Sequence, residues 1–505
     1  MHLRPTDYAV LAVYLLGVTA LGLLLGRRRG EDDYFLAGRS MGVLPVGLSV
    51  MVTAFSAINV VAFSGEVFGH GLYVVASLPV FAVVAWPVTR WVIPFFARLR
   101  PTSAYSILAR RFDTRMQRLA SGTFMLWRIA WMAVVMLAAG KFLAVLTGTN
   151  LLGVIVVAGL VATLYTTVGG MRAVMWTDVV QFVVLVGGMA TVVWLALGRV
   201  EGGLVTVLSG ARQAGSLKPF VPFDPAWFSP DPRIRITLAS GLVGTLVAFI
   251  ARYGADQVVL QRYFAARTER AARRAVWLNV VAVLVSLVLL MMLGLVLVGS
   301  GPAVPSTRSS GLMLKRLASL LAELPAGVAG LVAAALLAAT MSSIDSGINA
   351  CSAAWASDFR RTPTPRRTRA DRLLSLGLGL GCTALALVMA RLLGPRQSIF
   401  VMVNRVVHGL GSPLLVMVWL GLVTRRVNAV GMLWGGLVGL AAGVAVIIGI
   451  EGLALHYYAV VTLGVSVGAC LAASWMARLA GHDDPPATAR FTWRAVMASP
   501  QNVDN

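Results

Sequence analysis

Runs of about 20 apolar residues recur along most of the chain and are separated by short polar segments. Twenty residues of α-helix rise about 30 Å, so each run is long enough to cross the hydrocarbon core of a bilayer. The pattern therefore predicts an all-α membrane protein with about thirteen transmembrane helices. The predicted spans are residues 7–26, 43–68, 72–97, 118–147, 150–169, 174–198, 234–252, 271–299, 326–356, 372–393, 398–423, 430–450 and 455–478.

The composition agrees with this pattern. Hydrophobic residues make up 58% of the 505 positions and charged residues only 12%, whereas about a quarter of the residues in soluble proteins are charged. We expect one transmembrane domain over residues 1–480 and a disordered cytoplasmic tail at 481–505. The first apolar run ends in three arginines, at 27–29, rather than in a small-residue cleavage site, so we expect it to remain as a helix.

The positive charge is distributed by loop. The formal net charge is +23, and most of the 43 Lys and Arg residues lie on one side of the predicted spans. The positive-inside rule makes that side cytoplasmic, with the N-terminus outside and the C-terminus inside, in a bacterial inner membrane. This topology and anionic lipid explain the basic loops, so no nucleic-acid partner is expected. Cys351, Cys382 and Cys470 lie in apolar spans without metal-ligand spacing.

Small and hydroxyl residues crowd the middle of the second span, from Thr53 to Ser64. A backbone carbonyl freed within hydrocarbon is tolerated only where it lines a cavity or binds an ion. A broken helix is one interpretation of this composition. The alternative is a continuous helix that uses small residues to pack closely against its neighbours.

A carboxylate enters the sixth span just after a glycine pair at 169–170. Asp178 follows the pair by about two helical turns. A carboxylate in hydrocarbon is costly and marks a functional site unless a structural partner neutralises it. Arg172 is the partner that the sequence offers, so both interpretations stay open.

The ninth span carries a cluster of hard oxygen ligands. Ser342, Asp345 and Ser346 share one helix face, and Ser343 flanks them. Hydroxyl and carboxylate oxygens suit hard cations such as Na⁺. Serines in membrane helices also bond back to their own carbonyls, which is the alternative.

A charged segment at 253–270 follows the seventh span and contains Asp256, Arg262 and Arg267. Its charges are expected to lie in water at the cytoplasmic face. It is interpreted either as a gating element or as a solvated loop helix.

Four ordered segments together resemble the sodium:solute symporter family, and most closely its iodide, multivitamin and monocarboxylate branch. They are GGMRAVMWTDVVQ (169–181), DQVVLQRY (256–263), MSSIDSGINA (341–350) and GSPLL (411–415). The resemblance covers residues 7–475. It implies a LeuT-like five-plus-five inverted repeat, with broken first and sixth core helices. The extra N-terminal helix would be 7–26, the core about 43–423, and two C-terminal helices about 430–478.

The resemblance also implies bound Na⁺. The carbonyls of Val52, Phe55 and Ala339 and the hydroxyls of Ser342 and Ser343 would form the sodium site. Asp178, Asp345 and Ser346 correspond to a second cation route found in some relatives. Asp345 replaces a neutral residue of several relatives, so sodium binding, proton exchange and a purely structural role remain open for it.

Seven residues are expected to face the solute. Arg405 and His408 lie about one turn apart inside a span, and a planar guanidinium suits a substrate carboxylate. The alternative for Arg405 is that it snorkels outward or pairs within the protein. The expected solute-facing residues are Ser56, Asn59, Phe63, Phe249, Asn404, Arg405 and His408.

These observations favour sodium-coupled symport of a small polar or anionic solute, monocarboxylate-like, by alternating access. No GxxxxGK[ST] loop is present, so ATP hydrolysis is not expected to supply the energy. A sensor that binds solute without transport is the first alternative. A membrane enzyme is disfavoured, because the sequence offers no paired catalytic carboxylates, metal-ligand cluster or nucleophile elbow. The expected partners are the solute, sodium and the bilayer, with no obligatory protein partner.

Overall fold

A computed structural model of the protein describes most of the chain. The described residues are 3–26, 31–229, 231, 234, 236–300, 310–360, 367–392, 399–449, 457–482 and 486–498. Within them the chain forms twenty α-helices, with short 3-10 and π segments between some of them. The helices are α1 (Pro5–Leu25), α2 (Glu31–Leu36), α3 (Val43–Ala54), α4 (Ala57–His70), α5 (Leu78–Pro87), α6 (Ile93–Leu99), α7 (Ser106–Arg111), α8 (Thr114–Thr147), α9 (Leu151–Arg199), α10 (Gly203–Gln213), α11 (Leu238–Ala255), α12 (Gln257–Phe264), α13 (Glu269–Gly299), α14 (Ser310–Glu323), α15 (Val328–Asp358), α16 (Arg367–Leu392), α17 (Ile399–Val423), α18 (Ala429–Gly449), α19 (Tyr457–Leu479) and α20 (Trp493–Ala498).

Eleven helical stretches in the described ranges are long and apolar enough to cross a membrane, and the bent pair α3–α4 makes a twelfth crossing. The 49-residue α9 is counted once in that number, but Gly170 interrupts it with φ +59° and ψ −164°. An added Cβ atom at Gly170 would lie 2.7 Å from the carbonyl oxygen of Tyr34, so only glycine fits there. The two arms of α9 correspond to the predicted spans 150–169 and 174–198, which accounts for the thirteenth span.

The second predicted span is a broken helix, which was one of the two interpretations of its sequence. Helices α3 and α4 meet at an angle of 62°. Phe55 and Ser56 between them have extended backbones, and the Asn59 side chain accepts a hydrogen bond from the Ser56 backbone N–H at 3.0 Å. The break therefore exposes the C-terminal end of α3 and the N-terminal end of α4 to the interior of the protein.

Helix α15 is the central helix of the bundle. Along its most apolar stretch 94% of the residues are buried, and it packs against α1, α3, α8, α9 and α16. Its sequence is rich in alanine, serine and glycine, which let neighbouring backbones approach closely in a membrane protein. Helix α1, by contrast, is 17% buried over its apolar stretch and lies at the periphery.

The segment after the last long helix differs from the expected disordered tail over residues 486–498. These residues form a 3-10 turn and the short helix α20, in which Val496 is buried. The Arg98 guanidinium donates to the carbonyls of Val496 and Met497 at 2.8 and 2.6 Å. The polar composition of this tail gave no signal of that contact, because backbone carbonyls supply the bonds.

Candidate functional site

The end of α3 meets the middle of α15 through hydroxyl–carbonyl contacts. Ser342 Oγ donates to the Val52 carbonyl at 3.2 Å and to the Ala339 carbonyl at 3.1 Å. Ser343 Oγ lies 3.3 Å from the same Ala339 carbonyl oxygen. Four of the five predicted sodium ligands are thus brought together. The fifth, Phe55, is the first residue after α3, and its N–H donates to the Val52 carbonyl.

The electrostatics of this helix end favour a cation. The last carbonyls of a helix have no intrahelical partner and carry the negative end of its dipole. A hydroxyl can present its lone pairs to an ion instead of donating its proton to a carbonyl. The arrangement of neutral oxygens can therefore coordinate a monovalent hard cation.

A buried ionic cluster lies beside this site and contains Asp178. The Arg262 guanidinium on α12 pairs with Asp178, with Nη2 3.2 Å from Oδ2 and both side chains fully buried. Ser49 on α3 donates to the same carboxylate oxygen at 2.5 Å and accepts from Arg262 Nε at 2.6 Å. The partner of Asp178 is therefore Arg262 and not Arg172, which donates to Ser40 Oγ and the Ala37 carbonyl.

Asp345 belongs to the same cluster. Tyr165 donates to Asp345 Oδ2 at 2.5 Å, and Ser346 donates to Oδ1 at 3.0 Å. Ser346 also contacts the Arg262 guanidinium, and its Oγ is 2.9 Å from Thr53 Oγ1. The three residues of the predicted second cation route thus lie in one connected network.

This cluster holds two carboxylates and one guanidinium. Asp178 Oδ1 has no hydrogen-bond partner among the described residues, although it is buried. A buried carboxylate oxygen without a partner is costly, and a bound cation would satisfy it. In the described part of the chain no group of three or more His, Cys, Asp or Glu side chains is arranged to hold a metal ion.

A cavity of about 180 Å³ extends from the break between α3 and α4. Its walls are mainly apolar and aromatic, which is typical of sites for small molecules. The lining residues are Ala54, Phe55, Ile58, Asn59, Ala62, Phe63, Glu66, Val74, Ser77, Phe81, Trp131, Ile236, Thr245, Ala248, Phe249, Arg252, Tyr253, Val283, Leu287, Val407 and His408.

Arg252 on α11 supplies a guanidinium to this cavity. Only 6% of the residue is exposed. Its Nη2 donates to the Thr53 carbonyl at 3.2 Å, and its Cζ atom lies 5.4 Å from the centroid of the Trp131 ring. Its Nε has no hydrogen-bond partner among the described residues. Arg252 therefore has donor capacity left for a ligand.

The predicted solute-facing residues divide into three groups. Asn59, Phe63, Phe249 and His408 line the cavity. Ser56 is buried at the helix break but is outside the lining set, and the side chain of Asn404 is outside the described part of the structure.

Arg405 does not line the cavity. Its guanidinium lies against the backbone of Gly449, where an added Cβ atom would be 3.4 Å from Nη1. Arg252, the last residue of the predicted span 234–252, lines the cavity. Thr245, Phe249 and Arg252 recur at helical spacing, and that periodicity could have identified the cavity-facing side of α11.

The charges of the segment 253–270 were expected to lie in water, and this expectation is wrong for α12. Every residue of α12 is buried. Asp256, which precedes it, accepts a hydrogen bond from the Val258 N–H at 3.0 Å and pairs with Arg128 of α8. Two buried ion pairs, of Asp256 and of Arg262, thus hold this short helix against α8 and α9.

A loop that contains Ser216 and Asp224 packs against the turn that follows α4. Gly71 has φ +90°, and an added Cβ atom there would be 2.9 Å from the Ser216 carbonyl oxygen. Tyr73 donates to Asp224, and this bond lowers the pKa of the Asp224 carboxyl. The loop is therefore tied to the 3-10 turn at Leu72–Ser77, which lines the cavity.

The broken helix, the oxygen cluster and the adjoining cavity are features expected of a secondary transporter. Comparisons with known proteins agree. The chain matches the sodium:solute symporter family over residues 34–439 and belongs to that family. The resemblance in the sequence is thereby confirmed, as are sodium as the coupling ion and transport rather than enzymatic catalysis.

Individual relatives cover most of the chain. It is 30% identical to the human sodium-coupled monocarboxylate transporter 1 over 87% of this chain and 72% of the relative. It is 30% identical to the human sodium/iodide cotransporter over 88% of this chain and 71% of that protein. A solved Na⁺-coupled sialic acid symporter, in a substrate-bound outward-open state with a novel Na⁺ site, superposes with a TM-score of 0.80. That structure is 26% identical, covering 94% of this chain and 98% of its own. The fold is therefore the expected LeuT-like inverted repeat in a multi-pass membrane protein.

Proposed function

We propose that this sodium-coupled symporter carries a small anionic solute, with monocarboxylates favoured, across the plasma membrane by alternating access. The observation that carries the proposal is the Arg252 guanidinium, which reaches the cavity with Nε unpartnered among the described residues. Glu66, the one carboxylate in the lining set, lies 3.4 Å from His70 Nδ1. A fixed positive charge lowers the cost of bringing an anion out of water and repels a cation.

The broken helix adds to this preference. The N-terminal end of α4 lies at the cavity, next to Ile58 and Asn59. The positive end of a helix dipole favours an anion, just as the C-terminal end of α3 favours sodium. Monocarboxylate, iodide and sialic acid, which the names of similar proteins give as their solutes, are anions or acids.

Sodium and solute would act on the same helix end. We assign the sodium site to the carbonyls of Val52, Phe55 and Ala339 and the hydroxyls of Ser342 and Ser343. Arg252 donates to the Thr53 carbonyl, one residue after Val52. Sodium binding that orders the end of α3 would therefore also fix the Thr53 carbonyl, which Arg252 contacts. Arg252 is the proposed solute-binding residue, so this contact gives a physical basis for coupling.

The second cation route is proposed to run through Asp178, Asp345 and Ser346. Asp178 Oδ1, which has no hydrogen-bond partner in the described part of the chain, and the excess of one carboxylate in the cluster support this assignment. We also propose that the arginine-rich loops face the cytoplasm, with the N-terminus outside, because the basic residues concentrate on that side.

The experiment measures binding and uptake of a panel of monocarboxylates, neutral analogues and amines, with sodium or choline as the cation. Arg252→Gln should raise the dissociation constant of the preferred anion at least tenfold, since losing one partner of a desolvated charge pair costs about 2–5 kcal/mol. Arg405→Gln is the matched control, because it removes the same charge outside the cavity. Equal effects of the two variants, or preference for a neutral or cationic solute, would rule out the anion assignment and leave sodium coupling standing.

A further inference from the structure

The solute cavity contains a carboxylate as well as a guanidinium. Glu66 of α4 lines it with only 5% of the residue exposed, and Arg252 of α11 lines it with 6% exposed. A carboxylate repels a bound anion, and this repulsion is strong where water is excluded. Glu66 is therefore unfavourable in an anion cavity unless the solute also brings a group that the carboxylate can bind.

Glu66 lies at the far end of the cavity from the break between α3 and α4. Arg252 is held at the break, where its Nη2 donates to the Thr53 carbonyl at 3.2 Å. Asn59 lies in the first turn of α4 and also lines the cavity. Glu66 follows Asn59 by two helical turns, a rise of about 10.5 Å on nearly the same face of the helix. Arg252 and Glu66 therefore lie at opposite ends of the cavity.

The end at the break offers hydrogen-bond donors. Asn59 Oδ1 accepts from the Ser56 backbone N–H at 3.0 Å and lies 3.3 Å from Ser56 Oγ. A backbone N–H can only donate, so this bond identifies the amide oxygen and leaves the NH₂ group to bind a solute. The Arg252 guanidinium can likewise only donate. The groups at this end therefore suit a carboxylate.

The far end offers a hydrogen-bond acceptor. A carboxylate has about four lone-pair positions and no proton to donate. His70 Nδ1 lies 3.4 Å from Glu66 Oε1, and it approaches from the surface, since the His70 side chain is 45% exposed. This contact occupies one of the positions, so Glu66 can still accept a hydrogen bond from the solute. Such a bond is charge-assisted and stronger than a bond between neutral groups.

The wall between the two ends is apolar. Ala62 and Phe63 form it on the turn of α4 that separates Asn59 from Glu66. Phe249, one turn before Arg252 on α11, forms it opposite, and its ring packs against Phe81 with the centroids 4.5 Å apart. The solute is therefore expected to carry an apolar spacer between its two polar ends.

The helical rise limits the length of that spacer. Two hydrogen bonds of about 2.9 Å take about 6 Å of the rise of about 10.5 Å. About 5 Å then remain between the carboxylate and the donor of the solute, roughly the reach of a chain of three or four carbon atoms. Resting on the proposed anion transport, we infer that the solute is an ω-hydroxy monocarboxylate. Its carboxylate binds Arg252 and Asn59, and its hydroxyl donates to Glu66.

The test compares 4-hydroxybutanoate with pentanoate, which has the same length and carries a methyl group in place of the hydroxyl. Their dissociation constants are measured on the purified full-length protein in sodium by isothermal titration calorimetry. 4-Hydroxybutanoate should bind at least tenfold more tightly, because pentanoate leaves the buried carboxylate facing a methyl group. 4-Methoxybutanoate, which cannot donate, should bind no better than pentanoate.

Three variants locate the preference. Glu66→Met removes the acceptor at similar side-chain length and should abolish the preference, while Glu66→Gln keeps a neutral acceptor and should give an intermediate ratio. His70→Gln is the matched control, because His70 contacts the same carboxylate without lining the cavity, and it should retain the preference. Arg252→Gln should weaken both solutes by the same factor, which distinguishes the hydroxyl site from the anion proposal.

Equal binding of 4-hydroxybutanoate and pentanoate by the original chain, or binding of neither, would overturn the inference. If the two bind equally and Arg252→Gln weakens both, the hydroxyl site is wrong and the anion assignment stands. A preference unchanged in Glu66→Met and in Glu66→Gln, or removed to the same extent by His70→Gln, would exclude direct recognition by Glu66. The comparison of solutes on the original chain and the Gln variant decides the matter if Glu66→Met does not fold.

Discussion

Replacing the buried Arg262 with glutamine should destabilise the protein more than breaking an exposed ion pair does. The variant leaves the buried Asp178 carboxylate without its guanidinium, which lies 3.2 Å away. At an effective dielectric constant of about 20, that distance corresponds to an attraction of about 5 kcal/mol. Removing one partner of a buried pair costs about 3–5 kcal/mol in measured cases, so the two values agree. A marked fall in the thermal midpoint of the purified protein is the expected result.

Sodium should partly compensate for this loss. Without Arg262 the cluster contains the carboxylates of Asp178 and Asp345, and the contacts of the described residues bring no other guanidinium to them. A bound cation then offsets more of the buried negative charge than in the unaltered protein. The rise in thermal midpoint on replacing choline with sodium should therefore be larger for Arg262→Gln than for the original chain.

Two further variants separate this explanation from a general packing defect. The double variant Asp178→Asn/Arg262→Gln removes both charges of the pair. Because neither charge is then left buried without its partner, most of the lost stability should return. Arg273→Gln breaks the exposed pair with Glu269, whose side chains are 38% and 40% exposed, and should cost less than about 0.5 kcal/mol. A double variant as unstable as Arg262→Gln would refute the reasoning.

Three other predictions follow from the same geometry. Ser342→Ala should weaken sodium binding about tenfold, and solute binding should fall with it and recover at high sodium; loss at every sodium concentration would contradict the ligand assignment. Asp345→Asn should change the sodium dependence of uptake while the protein remains inserted, and an unchanged sodium curve would remove Asp345 from the cation route. Gly170→Ala should lower the free energy of unfolding by about 1–3 kcal/mol from backbone strain alone, and the new Cβ atom would also clash with Tyr34. Gly153→Ala is the control, since nothing lies within 4 Å of its new Cβ atom, and it should leave the thermal midpoint unchanged or slightly raised.

The membrane spans and the break in the second one could be predicted because hydrophobic length and small-residue composition are local properties. The hydroxyls of Ser342 and Ser343 were identifiable for the same reason, since spacing on a single helix determines which residues share a face. The two arms of α9 were likewise predicted as separate spans, on either side of a glycine pair that permits the turn.

The partners across the bundle could not be predicted in the same way. Arg172 was the nearest guanidinium to Asp178 along the chain, but the observed partner is Arg262, 84 residues away. Distance along the sequence does not determine which helices pack together. Arg252 was missed for a different reason: the polar residues after it suggested a membrane boundary, although α11 continues to Ala255 with its charged side chain turned inward.

The separation between Asp178 and Arg262 has a consequence for synthesis. At about 5–20 residues per second, a ribosome needs about 4 to 17 s to make the 84 residues that separate the carboxylate from its partner. Ser346, which contacts that guanidinium, is completed later still. During this interval the second arm of α9 carries a carboxylate whose compensating charge does not yet exist. Nascent chains that end between α9 and α12 should therefore insert this arm less stably than chains extended beyond α12.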